Sequence, residues 1–333
     1  MSGDFVSRLP KIYGMYTGGF LAFVVALAIG EQMGMPNAWI GYVFMAATIG
    51  LYAMIGIMSR TAETDEYYVA GRRVPALYNG MATGADWMSA ASFIGMAGTL
   101  YAQGYDGLAF VMGWTGGYVL VALFLAPYLR KFGQYTIPDF LGTRYGGNLP
   151  RTIGIICAIT ASFTYVIAQI YGAGIITSRF LGIDLATGVW VGLVGVLVCS
   201  LLGGMRAVTW TQVAQYIILI IAYLVPVVWL SIKVTGNPVP QLAYGEVLQQ
   251  IGQLEQQLGV TAGHATPFVK NDMVNFLALI FCLMVGTAAL PHILMRYYTT
   301  PSVKDARASV TWSLFFIFLL YFTAPALAVL VKY

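Results

Sequence analysis

The most unusual residue of this sequence is Asp86, which lies in the middle of a long apolar run. Residues 76–102 contain no other charged side chain. An aspartate at the centre of a bilayer costs about 2.5–3.5 kcal/mol on translocon-based scales, so it needs a compensating role. The residue type suggests that it binds a cation or a proton. The alternative is a structural carboxylate that accepts hydrogen bonds from neighbouring backbone N–H groups.

Small and polar residues surround this aspartate, from Thr83 to Ser92, where a spanning helix ordinarily has Leu and Ile. A helix that breaks here leaves free carbonyl groups at the end of one half and free N–H groups at the start of the other. Ser89 is a suitable N-cap for the second half, which would leave the carbonyl oxygens of Ala85 and Met88 free to bind a hard cation. Ser89 and Ser92 are candidate substrate contacts, or they bond only to carbonyl groups one turn back.

A second polar interruption, from Gly286 to His292, lies in the eighth apolar run. Thr287 can cap the half-helix that follows, and Pro291 then falls in its first turn, where proline is tolerated. His292 either titrates or holds the broken backbone together. The candidate substrate contacts of this interruption are Gly286, Thr287, Ala288 and His292.

Two further polar residues, Tyr165 and Gln169, lie in the fifth apolar run. They are four positions apart, so they share one face of a helix. Their side chains predict hydrogen bonds to a neighbouring helix or contact with a solute.

Composition places all these residues in a membrane. The sequence has 59% hydrophobic and 9% charged residues, whereas soluble domains have about half and about a quarter. About 20 apolar residues span a bilayer, and uniformly apolar runs of this length exclude barrel strands. We therefore predict an all-α polytopic membrane protein that forms a single domain over residues 1–333. Its nine predicted transmembrane helices are near residues 12–30, 39–58, 76–102, 108–129, 152–178, 186–203, 208–232, 274–295 and 308–331.

The two interrupted runs are the third and the eighth, so they are five segments apart. An odd separation makes them cross the membrane in opposite directions. Interrupted helices at matching places in two inverted halves indicate a transport site at the midplane of the membrane.

Basic residues predict the orientation of these helices, with the N-terminus in the cytoplasm. The long loop 233–273 is then external, and Val247, Ile251, Leu254 and Leu258 predict a short amphipathic helix within it. Thirteen of the 17 basic residues fall on the inside, namely Arg8, Lys11, Arg60, Arg72, Arg73, Arg130, Lys131, Arg144, Arg151, Arg206, Arg296, Lys304 and Arg307.

Several motifs resemble the sodium:solute symporter family. They are Tyr67–Arg72 (YYVAGR), Ser89–Gly95 (SAASFIG), Tyr135–Phe140 (YTIPDF) and Gly203–Trp210 (GGMRAVTW). The resemblance extends over about residues 40–331. Within the family, Gly104–Gly107 (GYDG) and Gly286–Arg296 (GTAALPHILMR) are most similar to the cation/acetate symporter branch.

The resemblance implies the leucine-transporter fold, in which ten core helices form two inverted repeats and the first and sixth are unwound. It implies a sodium site at the carbonyl groups of Ala85 and Met88, with hydroxyl groups from an eighth core helix. The chain stops after the seventh core helix, so it resembles an N-terminal fragment that lacks the C-terminal core helices. Gln212 stands where sugar and proline relatives have an acidic residue, which fits the acetate branch and leaves a second sodium site open.

The function that the resemblance implies is sodium-coupled symport of acetate or another short monocarboxylate across the inner membrane, not catalysis. The alternatives are a sensory transmembrane module of a signalling protein, a proton-coupled or other-solute symporter, and a channel. The expected ligands are a sodium ion, bound near Asp86, and a small solute. The protein is expected to lie in the lipid bilayer and to bind no nucleic acid. Whether it binds a small membrane subunit is left open.

Overall fold

The computed structural model describes residues 3–260 and 262–333, and secondary structure in this part of the chain is helical. The α-helices are α1 (Gly3–Gln32), α2 (Asn37–Met58), α3 (Thr64–Val69), α4 (Ala76–Trp87), α5 (Met96–Gln103), α6 (Leu108–Leu120), α7 (Ala126–Phe132), α8 (Ile137–Tyr145), α9 (Asn148–Leu181), α10 (Leu185–Leu201), α11 (Gly204–Thr235), α12 (Pro240–Gln257), α13 (Met273–Ala288), α14 (Pro291–Leu294) and α15 (Val303–Lys332). Shorter helical turns are the 3₁₀ segments Ala70–Arg72, Gly104–Gly107 and Met295–Thr299 and the π segments Ala91–Gly95 and Val121–Leu125.

Six helices of the described residues are long and apolar enough to cross a membrane, and a pair bent by 51° gives a seventh. The predicted count of nine is larger because the third run is split at residues 88–90, and its second part continues into the fourth run. In addition, the sixth run forms α10, which has only 17 residues. The six helices are Phe5–Gln32, Asn37–Met58, Ala91–Phe132, Asn148–Leu181, Gly204–Thr235 and Val303–Lys332.

Several helix ends away from the two interruptions follow ordinary capping chemistry. Asp184, Asp272 and Ser302 each accept a hydrogen bond from the backbone N–H three residues on, at 3.0, 2.8 and 3.1 Å. Gly182 and Gly236 end α9 and α11 with φ of 66° and 74°, a conformation that favours glycine. The sequence therefore specifies these five helix ends locally.

The sequence contains the glycine spacings Gly80/Gly84 and Gly113/Gly117, which predict close contacts between helices. A Cβ atom on Gly80 of α4 would lie 2.5 Å from the Cβ of Trp312 in α15. A Cβ atom on Gly113 of α6 would lie 2.6 Å from the Cβ of Leu283 in α13. Each interrupted helix is therefore packed tightly against a neighbouring helix.

The predicted amphipathic helix of the external loop is α12. Val247 and Ile251 are buried against the end of α15. Leu254 and Leu258 are 49% and 80% exposed, so only half of the predicted apolar stripe packs on the bundle. Residue 261 of the loop lies outside the described residues, and the side of the membrane on which α12 lies stays a prediction.

Candidate functional site

The first interruption lies where the sequence predicts it. Helix α4 ends at Trp87, and Met88 has φ −79° and ψ 49°, which is not helical. The backbone N–H groups of Ser92 and Phe93 donate to the Ser89 carbonyl at 3.1 and 2.8 Å, and the helix resumes there. It resumes as the π segment, a wide turn that is frequent at functional sites. We call this interruption, between α4 and the π segment Ala91–Gly95, the first break.

Two carbonyl oxygens at the first break have no protein partner. Among the described residues, nothing donates a hydrogen bond to the carbonyl of Ala85 or Met88. Both residues are buried, and a buried carbonyl ordinarily has a partner. Carbonyl oxygens are the ligands that hard cations prefer. These two groups therefore fit a cation that would complete its coordination with further oxygens.

The hydroxyl groups of the first break bond within their own segment. The Ser92 hydroxyl is buried and donates to the carbonyl of Trp87, across the break. The Ser89 hydroxyl lies 3.5 Å from that of Ser92. Ser89 lies at the predicted N-cap position, because its carbonyl accepts the first hydrogen bonds of the second half-helix. Among the described residues, however, no backbone N–H donates to its hydroxyl group, so the predicted side-chain cap does not form. A side chain from another helix reaches this segment.

That side chain is Gln169 of α9, whose Oε1 accepts a hydrogen bond from the backbone N–H of Ala90 at 3.1 Å. The predicted interhelical hydrogen bond of Gln169 is thereby confirmed. Gly172, one turn further along α9, allows this approach, because a Cβ atom there would lie 2.5 Å from the Cβ of Ala90. The Tyr165 ring, one turn earlier, lies 4.4 Å from the His292 ring between centroids. One face of α9 therefore contacts both interruptions.

The second interruption, the second break, separates α13 from α14. Leu290 is extended, with φ −66° and ψ 120°, and Pro291 begins α14. The predicted cap by Thr287 is wrong, because Leu290 occupies the N-cap position and no side chain caps α14. Proline at the first position lacks an N–H group, which reduces the need for a cap. Thr287 instead packs against α6, where a Cβ atom on Gly117 would lie 2.7 Å from its Cβ.

Parts of the second break are open. A Cβ atom on Gly286 would meet nothing within 4 Å, whereas Ala288 is buried. The Nε2 atom of His292 is buried and has no hydrogen-bond partner among the described residues. A buried ring nitrogen without a partner is costly, so a solute or a water molecule that reached it would gain a hydrogen bond.

Asp86 has a charge partner that the sequence pattern did not single out. Arg296, which follows the second break, donates from Nε to Oδ2 at 2.6 Å and from Nη2 to Oδ1 at 3.2 Å. Gln212 of α11 also donates to Oδ1. The side chains of Arg296 and Asp86 are only 2% and 9% exposed. The charge pattern counted Arg296 among the loop cations that orient the protein. The structure instead places it in a buried ion pair.

Further contacts fasten Arg296 to the bundle. Its Nη1 donates to the Thr209 hydroxyl of α11 at 2.9 Å. The Thr299 hydroxyl lies 2.7 Å from the Arg296 carbonyl and 3.0 Å from Oδ1 of Asn79 in α4. Asn79 in turn donates to Ser309 of α15 at 2.7 Å. A buried polar chain thus connects the second break to α4, α11 and α15.

These contacts bear on the expected role of Asp86 at the sodium ion. Oδ1 accepts from Gln212 and Arg296, and Oδ2 accepts from Arg296 alone. Because a carboxylate has about four acceptor positions, Oδ2 retains one. Direct cation binding by Asp86 therefore stays a prediction, and the observed partner of this carboxylate is a guanidinium group.

An aromatic wall closes the first break on another side. The Trp87 ring meets the Tyr118 ring edge-on, with centroids 4.9 Å apart. The hydroxyl groups of Tyr118 and Tyr297 are hydrogen-bonded at 2.6 Å. All three side chains are buried, so aromatic rings and one hydrogen-bonded pair of hydroxyl groups form this side of the site.

A groove of about 550 Å³ includes residues of the second break. Pro291 and Met295 line it together with Tyr68 and Tyr135. Asp139 and Arg151 also line it. Each charged group there has a partner, because Arg151 is paired with Asp139 at 2.7 Å.

Known proteins resemble this chain in sequence. Residues 67–330 match the sequence profile of the sodium:solute symporter family. An uncharacterized symporter of Cupriavidus necator is 44% identical over 99% of this chain and 63% of its own length. The monocarboxylic acid transporter of Corynebacterium glutamicum is 31% identical over 86% of this chain and 54% of its own length.

A solved structure resembles it in fold. A Na⁺-coupled sialic acid symporter, in a substrate-bound outward-open state, superimposes with a TM-score of 0.64 over 88% of this chain and 60% of that chain. At 19% sequence identity, this likeness concerns the fold alone. The predicted all-α, leucine-transporter-like fold is confirmed. The chain spans 54–63% of the length of the two curated relatives.

Proposed function

Since this chain belongs to the sodium:solute symporter family, we propose that it contributes the ion and solute site of a sodium-coupled transporter of short monocarboxylates such as acetate. The family is one of transporters and not of enzymes. The observation that carries the proposal is the first break, where the carbonyl groups of two buried residues, Ala85 and Met88, accept no hydrogen bond from the part of the chain that the structure describes.

In this proposal the cation binds to the carbonyl oxygens of Ala85 and Met88. Asp86 lies between them in the chain and contributes to the site next to its guanidinium partner. Carbonyl ligands suit a hard ion such as sodium, and the ends of unwound helices bind such ions at membrane midplanes.

The solute binds between the two breaks and α9. The second break is the natural place for its carboxylate, because Gly286 is open and the ring nitrogen of His292 lacks a partner. Support for a monocarboxylate comes from one relative, which is a monocarboxylic acid transporter. The proposed solute contacts are Ser89, Ser92, Tyr165, Gln169, Gly286, Thr287, Ala288 and His292.

The chain is a multi-pass membrane protein, with six or seven candidate spans in its described part. We place it in the inner membrane with its N-terminus in the cytoplasm, because that orientation puts most basic residues inside. One sodium ion and one carboxylate together carry no net charge, so the membrane potential contributes nothing to their joint transport. A tenfold sodium gradient then supplies about 1.4 kcal/mol, which corresponds to about tenfold accumulation.

The test is uptake of labelled acetate by proteoliposomes that contain the protein expressed from its complete reading frame. Uptake should require an inward sodium gradient, should persist with a protonophore, and should not occur when potassium replaces sodium. Unlabelled propionate should compete, and unlabelled proline should not.

Two results would contradict the proposal. Uptake that follows a proton gradient and ignores sodium would remove the coupling ion but leave the solute. Sodium-dependent uptake that acetate and propionate do not inhibit would remove the solute class but leave the ion.

A further inference from the structure

In the four segments of this chain that form the site, fixed charge is confined to one pair. The segments that form the site, residues 76–103, 152–178, 208–232 and 273–299, contain one acidic residue, Asp86, and one basic residue, Arg296. With histidine neutral, their charges sum to zero. The two charged side chains are in direct contact at 2.6 Å and are almost completely buried.

The pairing geometry makes this cancellation local. Two nitrogen atoms of the guanidinium group bind the two carboxylate oxygens of Asp86, and the third binds a neutral hydroxyl group on Thr209. A bidentate pair of this kind has a fixed orientation. The electrostatic potential at a cation bound to the neighbouring carbonyl groups would therefore come from a carboxylate and a guanidinium group together, and not from an unpaired negative charge.

A bare cation in such a site lacks compensation. Transfer of an unpaired ion from water to a buried site is unfavourable, and neutral carbonyl dipoles offset only part of that cost. The negative charge that remains available is the carboxylate group of the solute itself. Attraction between the two bound ions is stronger inside the protein than in water, because the effective dielectric constant is lower.

We propose that Arg296 is a positioning residue which cancels the charge of Asp86, so that the sodium ion and the solute carboxylate depend on each other for charge neutrality. This inference rests on the function proposed above and deepens it. The coupling between the two ligands would then arise from the absence of net fixed charge at the break. By linkage, the factor by which acetate raises sodium affinity equals the factor by which sodium raises acetate affinity.

The experiment measures binding of ²²Na⁺ to the purified full-length protein with and without saturating acetate. The ratio of the two dissociation constants is the coupling factor, expected at roughly 5–150 in the unmodified protein. In Arg296→Gln, Asp86 keeps its negative charge and compensates the cation directly. Sodium should then bind more tightly without acetate, and the coupling factor should fall towards one.

The double variant Asp86→Asn/Arg296→Gln separates charge from structure. It again has no net fixed charge, so the coupling factor should return towards the unmodified value. Arg296→Lys keeps the charge without the bidentate geometry and should retain coupling. A control that also removes an arginine charge is Arg130→Gln, because the hydrogen bonds that the structure shows for Arg130 are to the backbone carbonyls of Thr300 and Pro301, each at 2.6 Å, outside the site. It should leave the coupling factor unchanged.

Three results would overturn the inference. If Arg296→Gln weakens sodium and acetate binding together and the double variant does not recover, Arg296 is structural. If the double variant loses sodium binding at every acetate concentration, Asp86 is a direct ligand. If both variants keep the unmodified coupling factor, the pair has no part in coupling. Failure of the unmodified protein to bind sodium would instead contradict the proposed function.

Discussion

Two buried aspartates differ in what holds them. Asp86 is bound by side chains from two other elements, Arg296 and Gln212. Asp106, in the turn between α5 and α6, is fully buried and accepts hydrogen bonds from three backbone N–H groups of one loop. Those donors are Phe268 at 2.9 Å, Lys270, and Asn271 at 3.1 Å.

This difference in hydrogen-bond donors distinguishes Asp86, whose electrostatic balance can respond to a bound ion, from Asp106, which only holds a loop in place. Backbone donors have no charge to withdraw, and they are fixed by the course of the loop. The guanidinium group of Arg296 brings a full charge on a side chain, so the balance at Asp86 depends on which charges are nearby. Burial of an aspartate therefore does not by itself indicate an ion site, and the type of donor is more informative.

The strongest test of this difference between Asp86 and Asp106 is to neutralise each aspartate in turn. Asp86→Asn leaves the Arg296 charge buried without a partner, and removing one member of a buried pair costs about 3–5 kcal/mol. Acetate uptake should fall much more than in Asp106→Asn, whose amide oxygen can still accept from the loop. Initial uptake rates, normalised to the protein in the membrane, test the order. Equal losses, or a larger loss in Asp106→Asn, would mean that the ion-linked carboxylate has been misplaced.

Truncating the second aspartate should affect the loop and not the ion. Asp106→Ala removes the acceptor for three backbone N–H groups, and because water can reach the opened loop we expect a total cost of about 1–3 kcal/mol. Amide hydrogen exchange should become faster in residues 262–272. The sodium concentration that gives half-maximal uptake should stay unchanged, and a marked shift in it would erase the distinction between the two aspartates.

A smaller effect is expected where α9 contacts the first break. Gly172→Ala would force a methyl group against Ala90, and overpacking costs about 1–3 kcal/mol, part of which is offset by the better helix propensity of alanine. The melting temperature in detergent should fall and the KM for acetate should rise. Gly98→Ala is the matched control, because a Cβ atom there meets nothing within 4 Å. A lower melting temperature in the control variant alone would contradict the proposed contact.

The smallest expected effect is a pH dependence at the loop that Asp106 holds. Burial, together with the nearby Lys332 ammonium group, lowers the pKa of His264, and Glu255 opposes this shift. Because the pKa in the folded state lies below the unfolded value of about 6.5, this contribution to stability is present above pH 6.5 and is lost as the pH falls below it. Hydrogen exchange in residues 262–272, corrected for intrinsic rates, should be faster at pH 5.5 than at 7.5. His264→Asn should remove that difference, and its persistence in this variant would assign it to another group.

Much of the fold followed from local patterns. Apolar runs, the polar stretch around Asp86 and the glycine spacings each predicted a feature that the structure contains. Short helices such as α10, and the split of the third run, made the number of spans harder to predict, because length and hydropathy do not show where a helix breaks.

The site was less predictable because its contacts join residues that are far apart in the chain. Arg296 is 210 residues from Asp86, and a basic residue at the end of an apolar run is usually read as a loop cation. A buried aspartate requires a partner, and that requirement was the available signal. Ser89 lies at the predicted N-cap position, but the structure shows no cap bond to its side chain, and Gln169 from α9 binds the next backbone N–H instead. Thr287 is not the N-cap of α14, because the helix begins later, at Pro291, after Leu290.

The position of Trp87 has an optical consequence. Trp87 lies between Ala85 and Met88 in the sequence. Its side chain is buried, and its indole ring lies edge-on to the ring of Tyr118. Indole emission shifts with the local electric field, since the excited state has a larger dipole than the ground state. The protein has seven tryptophans, so a variant that retains only Trp87 would carry an intrinsic fluorophore at the break. Its emission wavelength would report the arrival of an ion without any attached label.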